Sequence, residues 1–259
     1  MASNLQLVRS PAPMRERLIL ALDVDDLERA RKMLKSLAGE VGMFKVGKQL
    51  FTHAGPQAAK LIQEMGGEIF LDLKFHDIPT TVAKAAIEAT RLGVKMFNVH
   101  ASGSLEMMRL TVREVSRVCR QESLRKPIML AVTVLTSLNE SDLKKVGVAG
   151  QVADQVVRLA LLSQKAGMDG VVAAPNEVAE IRGACGRSFI IVTPGIRLQK
   201  SKRDDQKRVM TPAEAVRAGV DYIVVGRPIM EAKDPLGVTR EIIAEMERAR
   251  NAGEKEWLH

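Results

Sequence analysis

The segment from Asp72 to Pro79 carries the side chains best suited to chemistry in this chain. It has the sequence Asp-Leu-Lys-Phe-His-Asp-Ile-Pro and follows a short apolar run that ends at Leu71. Because side chains on a strand alternate between its two faces, Asp72 and Lys74 should point to the same side. Asp77 lies beyond the strand and just before Pro79, which suits the first turn of a helix. Two carboxylates and an ammonium are therefore gathered at one strand end, where they could move a proton or stabilise a charged intermediate.

The same pattern has a simpler structural interpretation. An Asp-x-Lys pair on its own is more often a salt bridge at the protein surface, which contributes little to stability. Asp77 could serve only as a cap for the helix that follows. Whether these three side chains do chemistry therefore depends on which other side chains the rest of the chain brings to the same place.

The overall charge does not by itself identify a partner. The chain has 259 residues, and its 39 lysines and arginines exceed its 31 acidic residues, for a net charge of +8. Aromatic residues make up only 3% of the chain, fewer than a stacking surface for single-stranded nucleic acid usually needs. A small polyanionic substrate explains the positive excess equally well, so we expect a small-molecule partner and no nucleic acid.

Signals for export and for membrane insertion are missing from the sequence. No run of about 18 or more apolar residues is present, and the polar N-terminus, Met1 to Arg17, lacks the hydrophobic region of a signal peptide. Cys119 and Cys185 are the only cysteines and fall in predicted helical regions, so neither a disulfide framework nor a Cys-x-x-Cys metal site is indicated. We therefore expect a cytoplasmic protein without a membrane partner.

Hydrophobic periodicity divides the chain into alternating strands and helices. The predicted strands, each followed by a helical segment, are 17–24, 42–46, 68–73, 94–100, 127–135, 169–173, 188–192 and 221–225. They are rich in Ile, Val and Leu, as expected where both faces of a sheet are covered. This repeat predicts an α/β fold with a single (β/α)8 barrel, called a TIM barrel. An open doubly wound sheet is the alternative, but no Gly-x-Gly-x-x-Gly follows any of these strands.

The predicted barrel accounts for most of the chain. We expect residues 17–250 to form it as one catalytic domain, with residues 1–16 as a partly disordered extension and residues 251–259 as a C-terminal tail. No linker or low-complexity segment divides the barrel, so one domain is predicted.

Polar side chains collect at the predicted carboxyl ends of the strands, where the active sites of such barrels lie. These residues are Asp23, Lys45, Asp72, Lys74, Asn98, His100, Thr133, Thr136 and Thr193. Any one of them could be a helix cap or an internal hydrogen-bonding group. A ring of such residues instead indicates a functional site.

The seventh and eighth strand ends resemble a phosphate site. Thr193-Pro194-Gly195-Ile196-Arg197 supplies a tight turn and a guanidinium, and Val225-Gly226-Arg227-Pro228 supplies backbone amides at a helix start. Loops after these strands bind phosphate in many barrels, because amides at a helix N-terminus favour anions. Arginine adds a bidentate fork for phosphate oxygens. The two arginines together make a phosphate-bearing substrate the expectation.

Two other features bear on the site. Residues 198–210 have no apolar periodicity, which is typical of a lid or of a disordered loop. His53, His76 and His100 are scattered, without the spacing of metal ligands, so we expect no metal.

At this point the motifs resemble those of the orotidine 5'-phosphate decarboxylase family in its bacterial form. The motifs occur in the family's order: ALDV at 21–24, FKVG at 44–47, DLKFHDIPTTV at 72–82, VTVLTS at 132–137, TPGIR at 193–197, DQ at 205–206 and VVGRPI at 224–229. The resemblance spans Leu18 to Met246, and DLKFHDIP is its most specific part. Leu198 and Lys200 stand where the bacterial pattern usually has Pro and Gly, while the spacing from Arg197 to Gln206 is kept.

The resemblance implies an enzyme without cofactor that converts orotidine 5'-monophosphate to uridine 5'-monophosphate and CO2 in de novo pyrimidine biosynthesis. By the same resemblance, Lys74 is the proton donor and carbanion stabiliser, Asp72 sits beside the substrate carboxylate, and Lys45 and Asp77 complete a network of alternating charge. The resemblance also implies a homodimer in which Asp77 and Thr81 reach the partner's site.

It further implies which residues bind the substrate. Asp23 and Lys45 would hold the ribose hydroxyls, and Thr136 the edge of the pyrimidine. The phosphate would be bound by four residues: Arg197, Gln206, Gly226 and Arg227.

Three other functions remain open on the sequence. A sugar-phosphate decarboxylase or aldolase-like synthase of the same superfamily would share the Asp-x-Lys-x-x-Asp core, but would need Mg²⁺ and an acid where Lys45 stands. A nucleotide-binding barrel without activity would keep Arg227 and Gln206 without needing Asp72 and Lys74. A ribose-phosphate isomerase would share only the phosphate loops.

Overall fold

Eight short strands carry the fold. The structure is a computed structural model that describes residues 13–198 and 210–256. The strands are β1 (Leu18–Ala21), β2 (Met43–Gly47), β3 (Ile69–Phe75), β4 (Met96–His100), β5 (Ile128–Val132), β6 (Gly170–Val172), β7 (Ile190–Thr193) and β8 (Tyr222–Val225).

The strands close into a parallel barrel in sequence order, with β8 paired to β1. Ile19 of β1 shows the closure, because it lies opposite Met43 of β2 on one side and Val224 of β8 on the other. All of the pairings are parallel, as right-handed crossovers through helices require. The predicted (β/α)8 TIM barrel is confirmed, and the open doubly wound sheet is excluded.

Alternation along the strands divides the apolar core into two layers. In β1, Ile19 and Ala21 join the cluster inside the barrel, whereas Leu18 and Leu20 join the larger cluster between the strands and the helices. A strand that is covered on both faces has no polar side, which explains the continuous apolar runs in the sequence. Polar side chains can therefore enter the barrel interior only near the strand ends.

Helices connect the strands and form the outer layer. Within the described residues they are α1 (Leu27–Leu37), α2 (Lys48–Ala54), α3 (Pro56–Glu64), α4 (Pro79–Arg91), α5 (Leu105–Gln121), α6 (Glu140–Lys145), α7 (Val152–Ala166), α8 (Val178–Cys185), α9 (Pro212–Ala218), α10 (Arg227–Met230) and α11 (Pro235–Glu256). Short 3-10 turns at Met14–Arg17, Ala101–Gly103 and Pro175–Glu177 supplement them.

Local signals explain several helix boundaries. The Asp26 carboxylate caps α1 by accepting a hydrogen bond from the Arg29 N–H at 2.8 Å. Gly167 and Gly219 end α7 and α9 with φ angles of +86° and +89°, a left-handed conformation that glycine adopts without a steric penalty.

The structure differs from the predicted elements in several places, among them the predicted strand 17–24, which ends at Ala21, and the predicted strand 68–73, which continues to Phe75. The segment Lys48–Ala54 forms an extra helix that the sequence did not signal. The predicted strand 127–135 ends at Val132, so that Thr136 lies in the turn that follows. The last helix continues to Glu256 and takes in part of the predicted tail, because residues after 249 include good helix formers. The boundaries of the barrel at 17 and 250 remain a prediction.

Within the described residues, no helix combines the length and the apolar character needed to cross a membrane.

Candidate active site

A cavity of about 190 Å³ opens at the carboxyl ends of the strands. It lies where the sequence predicted the site. Lys45, Asp72 and Lys74 bring charge to it from β2 and β3, and Thr136 lines it from the turn after β5. The rest of the wall is apolar and comes from Phe70, Val132, Val134, Leu135, Val172, Ala173, Pro194 and Val224. A few charges in an apolar wall interact more strongly than they would in water.

Asp72 is the centre of the charged cluster. Its Oδ1 lies 2.6 Å from the Lys74 ammonium, and its Oδ2 lies 3.4 Å from the ammonium of Lys45. The Lys45 ammonium also contacts Asp23 Oδ1 at 3.1 Å. Only 13% of the Asp72 side chain is exposed, compared with 58% for Asp23. The cluster is thus a chain of alternating charges that runs from solvent into the barrel.

The surroundings of Asp72 set its protonation state. Burial by itself raises the pKa of this carboxyl, but the charges of Lys45 and Lys74 and the hydrogen bonds from Lys74 and Asn98 outweigh burial. The pKa of Asp72 therefore lies below its ordinary value. Asp72 is a carboxylate at neutral pH, available to hold two ammonium groups.

Asn98 of β4 joins the charged cluster through two hydrogen bonds. Its side chain is fully buried, its Nδ2 donates to Asp72 Oδ1 at 2.7 Å, and its Oδ1 accepts the Lys74 backbone N–H at 2.8 Å. The sequence placed Asn98 at a strand end but assigned it no role. Its position at a strand end could be read from the sequence, whereas its two hydrogen-bond partners depend on how β3 and β4 are aligned.

A second cavity, of about 180 Å³, adjoins the first and shares Lys45, Pro194 and Val224 with it. Its lining includes Asp23 and the predicted phosphate residues Gly195, Arg197, Gly226 and Arg227. Both arginines thus reach the same cavity from the ends of β7 and β8. An anion bound there would lie next to the charged cluster.

Two glycines allow close approach in this region. A Cβ atom on Gly47 would lie 3.1 Å from the Lys45 ammonium, and one on Gly226 would lie 3.4 Å from Ala21 Cβ and 3.5 Å from Asp23 Oδ2. The absence of a side chain at Gly47 therefore leaves room for the Lys45 ammonium between its two carboxylates. Gly47 belongs to the FKVG motif of the sequence, which assigned it no role.

Two predicted residues lie apart from both cavities of their own chain. Asp77 and Thr81 are exposed at the start of α4, and the Asp77 carboxylate accepts a hydrogen bond from the Ile78 N–H at 2.6 Å. Gln206 and Lys200, together with most of the loop 198–210 expected to be a lid, lie outside the described residues.

No cluster of His, Cys, Asp and Glu suited to a metal ion occurs within residues 13–198 and 210–256. The carboxylates of Asp23 and Asp72 both contact the Lys45 ammonium, which occupies the space between them. Its positive charge opposes a divalent cation at that position.

Comparisons with known proteins agree on one family. The model of a family described as "Orotidine 5'-phosphate decarboxylase / HUMPS family" matches residues 16–242. A protein of Syntrophotalea carbinolica named orotidine 5'-phosphate decarboxylase is 53% identical over 92% of this chain and 98% of its own length. One of the same name from Geobacter sulfurreducens is 54% identical over 90% of this chain and 96% of its own. The crystal structure of orotidine 5'-phosphate decarboxylase from Lactobacillus acidophilus covers 88% of this chain and 98% of its own, with a TM-score of 0.78 and 36% identity.

Proposed function

The chain belongs to the orotidine 5'-phosphate decarboxylase / HUMPS family, and from this premise we propose how it decarboxylates orotidine 5'-monophosphate. Curated relatives that share about half of its residues over nearly its whole length carry the name of this carboxy-lyase. The product is uridine 5'-monophosphate, so the chain acts in pyrimidine biosynthesis. The roles of individual residues below are our proposal.

Lys74 is the proton donor. When the bond between C6 of the pyrimidine and the carboxylate breaks, CO2 leaves and the electron pair stays on C6. No orbital of the ring delocalises that pair, so the site must stabilise a localised negative charge. The Lys74 ammonium, held 2.6 Å from Asp72, offers both a positive charge and a proton. Proton transfer to C6 leaves a neutral amine, which takes a proton from solvent before the next turnover.

Asp72 and Lys45 organise this step. The Asp72 carboxylate fixes the Lys74 ammonium where the proton is needed and faces the substrate carboxylate, which departs as neutral CO2. The Lys45 ammonium balances the charge of Asp72 from the other side at 3.4 Å. A fixed array of charges in an apolar cavity stabilises the developing carbanion without the reorganisation that water would require.

The two adjoining cavities suit the two ends of a nucleotide. The apolar cavity with Thr136 takes the pyrimidine, and Asp23 and Lys45 at the junction hold the ribose hydroxyls. The phosphate binds in the second cavity, where Arg197, Gly226 and Arg227 converge, and Gln206 completes its binding. Phosphate binding far from C6 can then supply energy for positioning the ring over Lys74.

A homodimer completes each site. Asp77 and Thr81 are exposed at the start of α4, and beside them the apolar side chain of Ile78 is 64% exposed. We propose that a second copy of the chain covers this edge, and that the partner subunit's Asp77 and Thr81 reach the cluster around Lys74. We also propose a cytoplasmic location, which the two buried free thiols of Cys119 and Cys185 suit.

The Asp72–Lys74 pair with Lys45 beside it is the observation that carries the proposal. A member of the family that uses Mg²⁺ would need a cation site at these strand ends, and the Lys45 ammonium opposes one. The positive charge for catalysis is instead built into two lysine side chains.

The first prediction tests both the reaction and its proton donor. The absorbance of orotidine 5'-monophosphate should fall at the same rate with and without EDTA, because Lys45 and Lys74 supply the charge. Lys74→Ala should lower kcat by several orders of magnitude, while the product uridine 5'-monophosphate still binds through its phosphate. A rate that collapses with EDTA and returns with Mg²⁺ would instead place the chain with the sugar-phosphate enzymes. Near-normal turnover by Lys74→Ala would mean that another residue is the acid.

A further inference from the structure

We propose that Asn98 is a positioning residue that holds both the main chain of Lys74 and the carboxylate of Asp72 for proton transfer. The inference rests on the proposed role of Lys74 as proton donor and adds a residue that acts through it. Asn98 is fully buried in β4 and lies below the two charged side chains. It makes one hydrogen bond to each of these residues.

The chemistry of its partners fixes the orientation of the Asn98 amide. A backbone N–H can only donate, so the Asn98 oxygen must face Lys74 N, at 2.8 Å. The Asp72 carboxylate can only accept, so the Asn98 nitrogen must face Asp72 Oδ1, at 2.7 Å. Aspartate is the same size but cannot satisfy both partners when it is ionised, and leucine satisfies neither of them. The site is therefore specific for an amide.

Lys74 needs such support because its backbone is strained. Its φ angle is +53°, in the left-handed region that non-glycine residues rarely adopt. The register of β3 against β4 shifts between Leu71 and Phe75, and within this shift the Lys74 N–H bonds to the side chain of Asn98. The amide oxygen of Asn98 thus stands in for a carbonyl of the sheet and stabilises the turn that aims the lysine.

The two hydrogen bonds act on the same pair of charges. Lys74 Nζ and Asn98 Nδ2 both bond to Asp72 Oδ1, while Asn98 also holds the backbone from which the lysine side chain starts. Asn98 therefore fixes both ends of the Lys74 side chain, its backbone directly and its ammonium through Asp72. Displacement of a reacting group by about 1 Å can lower the rate about 100-fold.

The first test is Asn98→Leu, which removes both hydrogen bonds while keeping the number of side-chain heavy atoms and the branch at Cγ. We expect kcat to fall about 100-fold, with the Kd for uridine 5'-monophosphate, measured by calorimetry, changed less than about threefold. Thr111→Val is the matched control, because Thr111 is also fully buried and donates one hydrogen bond, to Met107 O at 2.8 Å, within α5. Its kcat should stay at the wild-type value.

The second test, Asn98→Asp, keeps the size and polarity of the residue. The new carboxylate could accept the Lys74 N–H but would repel Asp72, and burial and this like charge would both raise its pKa. Only its protonated form can donate to Asp72. The kcat of this variant relative to wild type should therefore rise at least about threefold as the pH is lowered from about 8 to about 6. A residue that only fills space would not produce this profile.

The outcomes separate this inference from the proposed function. A wild-type kcat for Asn98→Leu would overturn the inference, and so would a flat ratio for Asn98→Asp across that pH range. If Asn98→Leu does not fold, the pH dependence of kcat for Asn98→Asp alone decides whether the inference holds. Lys74→Ala is assayed in parallel: if it were as active as wild type, the proposed role of Lys74 as proton donor would fail and the inference with it. If Lys74→Ala is inactive and Asn98→Leu is fully active, only the inference fails.

Discussion

At the scale of single residues, the site depends on charges that stay fixed at neutral pH. The pKa of Asp72 is lowered because Lys45 and Lys74 outweigh the effect of burial, so this carboxylate remains ionised. Its two ammonium neighbours lie at 2.6 and 3.4 Å. In the proposed mechanism, the acid for proton transfer is thus placed by an ion pair and does not have to be drawn in from solvent.

His100 is a second titratable residue at this edge of the barrel. Its ring packs against His76, with centroids 5.4 Å apart. Burial, followed by the charges of His76, Lys74 and Lys48, lowers the pKa of His100 to about 4, against a smaller opposite effect of Asp72. His100 is therefore a neutral side chain beside the charged cluster.

This shift makes stability depend on pH. Between about pH 6.5 and 4 the unfolded chain binds a proton at His100 that the folded chain does not, so this contribution to stability is lost as the pH falls. His100→Phe keeps a ring against His76 and removes the proton. In urea unfolding, wild type should lose stability relative to this variant between pH 7.5 and 4.5, by less than about 1 kcal/mol per pH unit because solvent reaches the half-buried ring. The difference at pH 7.5 measures packing alone, and a difference that stays constant down to pH 4.5 would contradict the assigned shift.

At the scale of elements, the site lies at the strand ends, because a side chain there is held in place by the barrel and is still exposed to the cavity. β2 ends with Lys45, Val46 and Gly47, and α2 begins directly after it. The bare Gly47 at this junction leaves the space in which the Lys45 ammonium sits between Asp23 and Asp72. The close strand-to-helix connection is thus part of the charged cluster.

Gly47→Ala tests the junction. The backbone at Gly47 has φ −87° and ψ −179°, which any residue adopts, so the free energy of unfolding should change by less than about 0.5 kcal/mol. The new methyl group would meet the Lys45 ammonium at 3.1 Å and push it from its carboxylates, so we expect kcat/KM to fall about tenfold.

Gly183→Ala is the control for this substitution. A Cβ atom on Gly183, within α8, meets nothing within 4 Å. This variant should gain roughly 0.5–1 kcal/mol of stability and keep its activity. If Gly47→Ala were equally active, the Lys45 ammonium would not depend on the space at Gly47.

At the scale of the whole molecule, a closed barrel and a proposed two-fold dimer act together. The closed barrel brings the ends of seven strands around the two cavities. Asp77 and Thr81 lie exposed outside these cavities, next to the exposed Ile78. In a two-fold dimer the same edge of each chain faces the other, so each subunit could complete its partner's site.

Mixed dimers test the shared site. Asp77→Asn and Lys74→Ala subunits should each be inactive alone. In a mixed dimer one site receives both changes and the other receives neither. With free exchange of equal amounts about half of the dimers are mixed, so activity should recover to roughly a quarter of wild type.

The opposite arrangement has a distinct outcome. If Asp77 served its own chain, every site in the mixture would contain one change, and the mixture would be no more active than the separate mutants. Mixing Lys74→Ala with Asp72→Asn is the control, because both residues line the same cavity of one chain. That mixture should not recover.

The sequence by itself determined the alternation of strands and helices and the polar residues at the strand ends. Both follow from local rules: a strand has a period of two, and a chain covered on both faces must stay apolar until its end. The DLKFHDIP segment and the two arginine loops identified the family from the sequence alone, and the comparisons confirmed it. The roles of the individual site residues, Lys74 and Asp72 included, stay predictions.

Only the tertiary structure decided how the charges are held. The alternation of side chains along a strand predicted that Asp72 and Lys74 lie on one face. It did not predict the left-handed backbone of Lys74, which arises where the register of β3 shifts against β4. The two bonds of Asn98 depend on the same shift, across 24 residues of sequence to Lys74. The space left by Gly47 for the Lys45 ammonium depends likewise on β3 bringing Asp72 beside β2. Such contacts depend on lateral register between strands, and register is set by the packing of the whole barrel, which no local pattern contains.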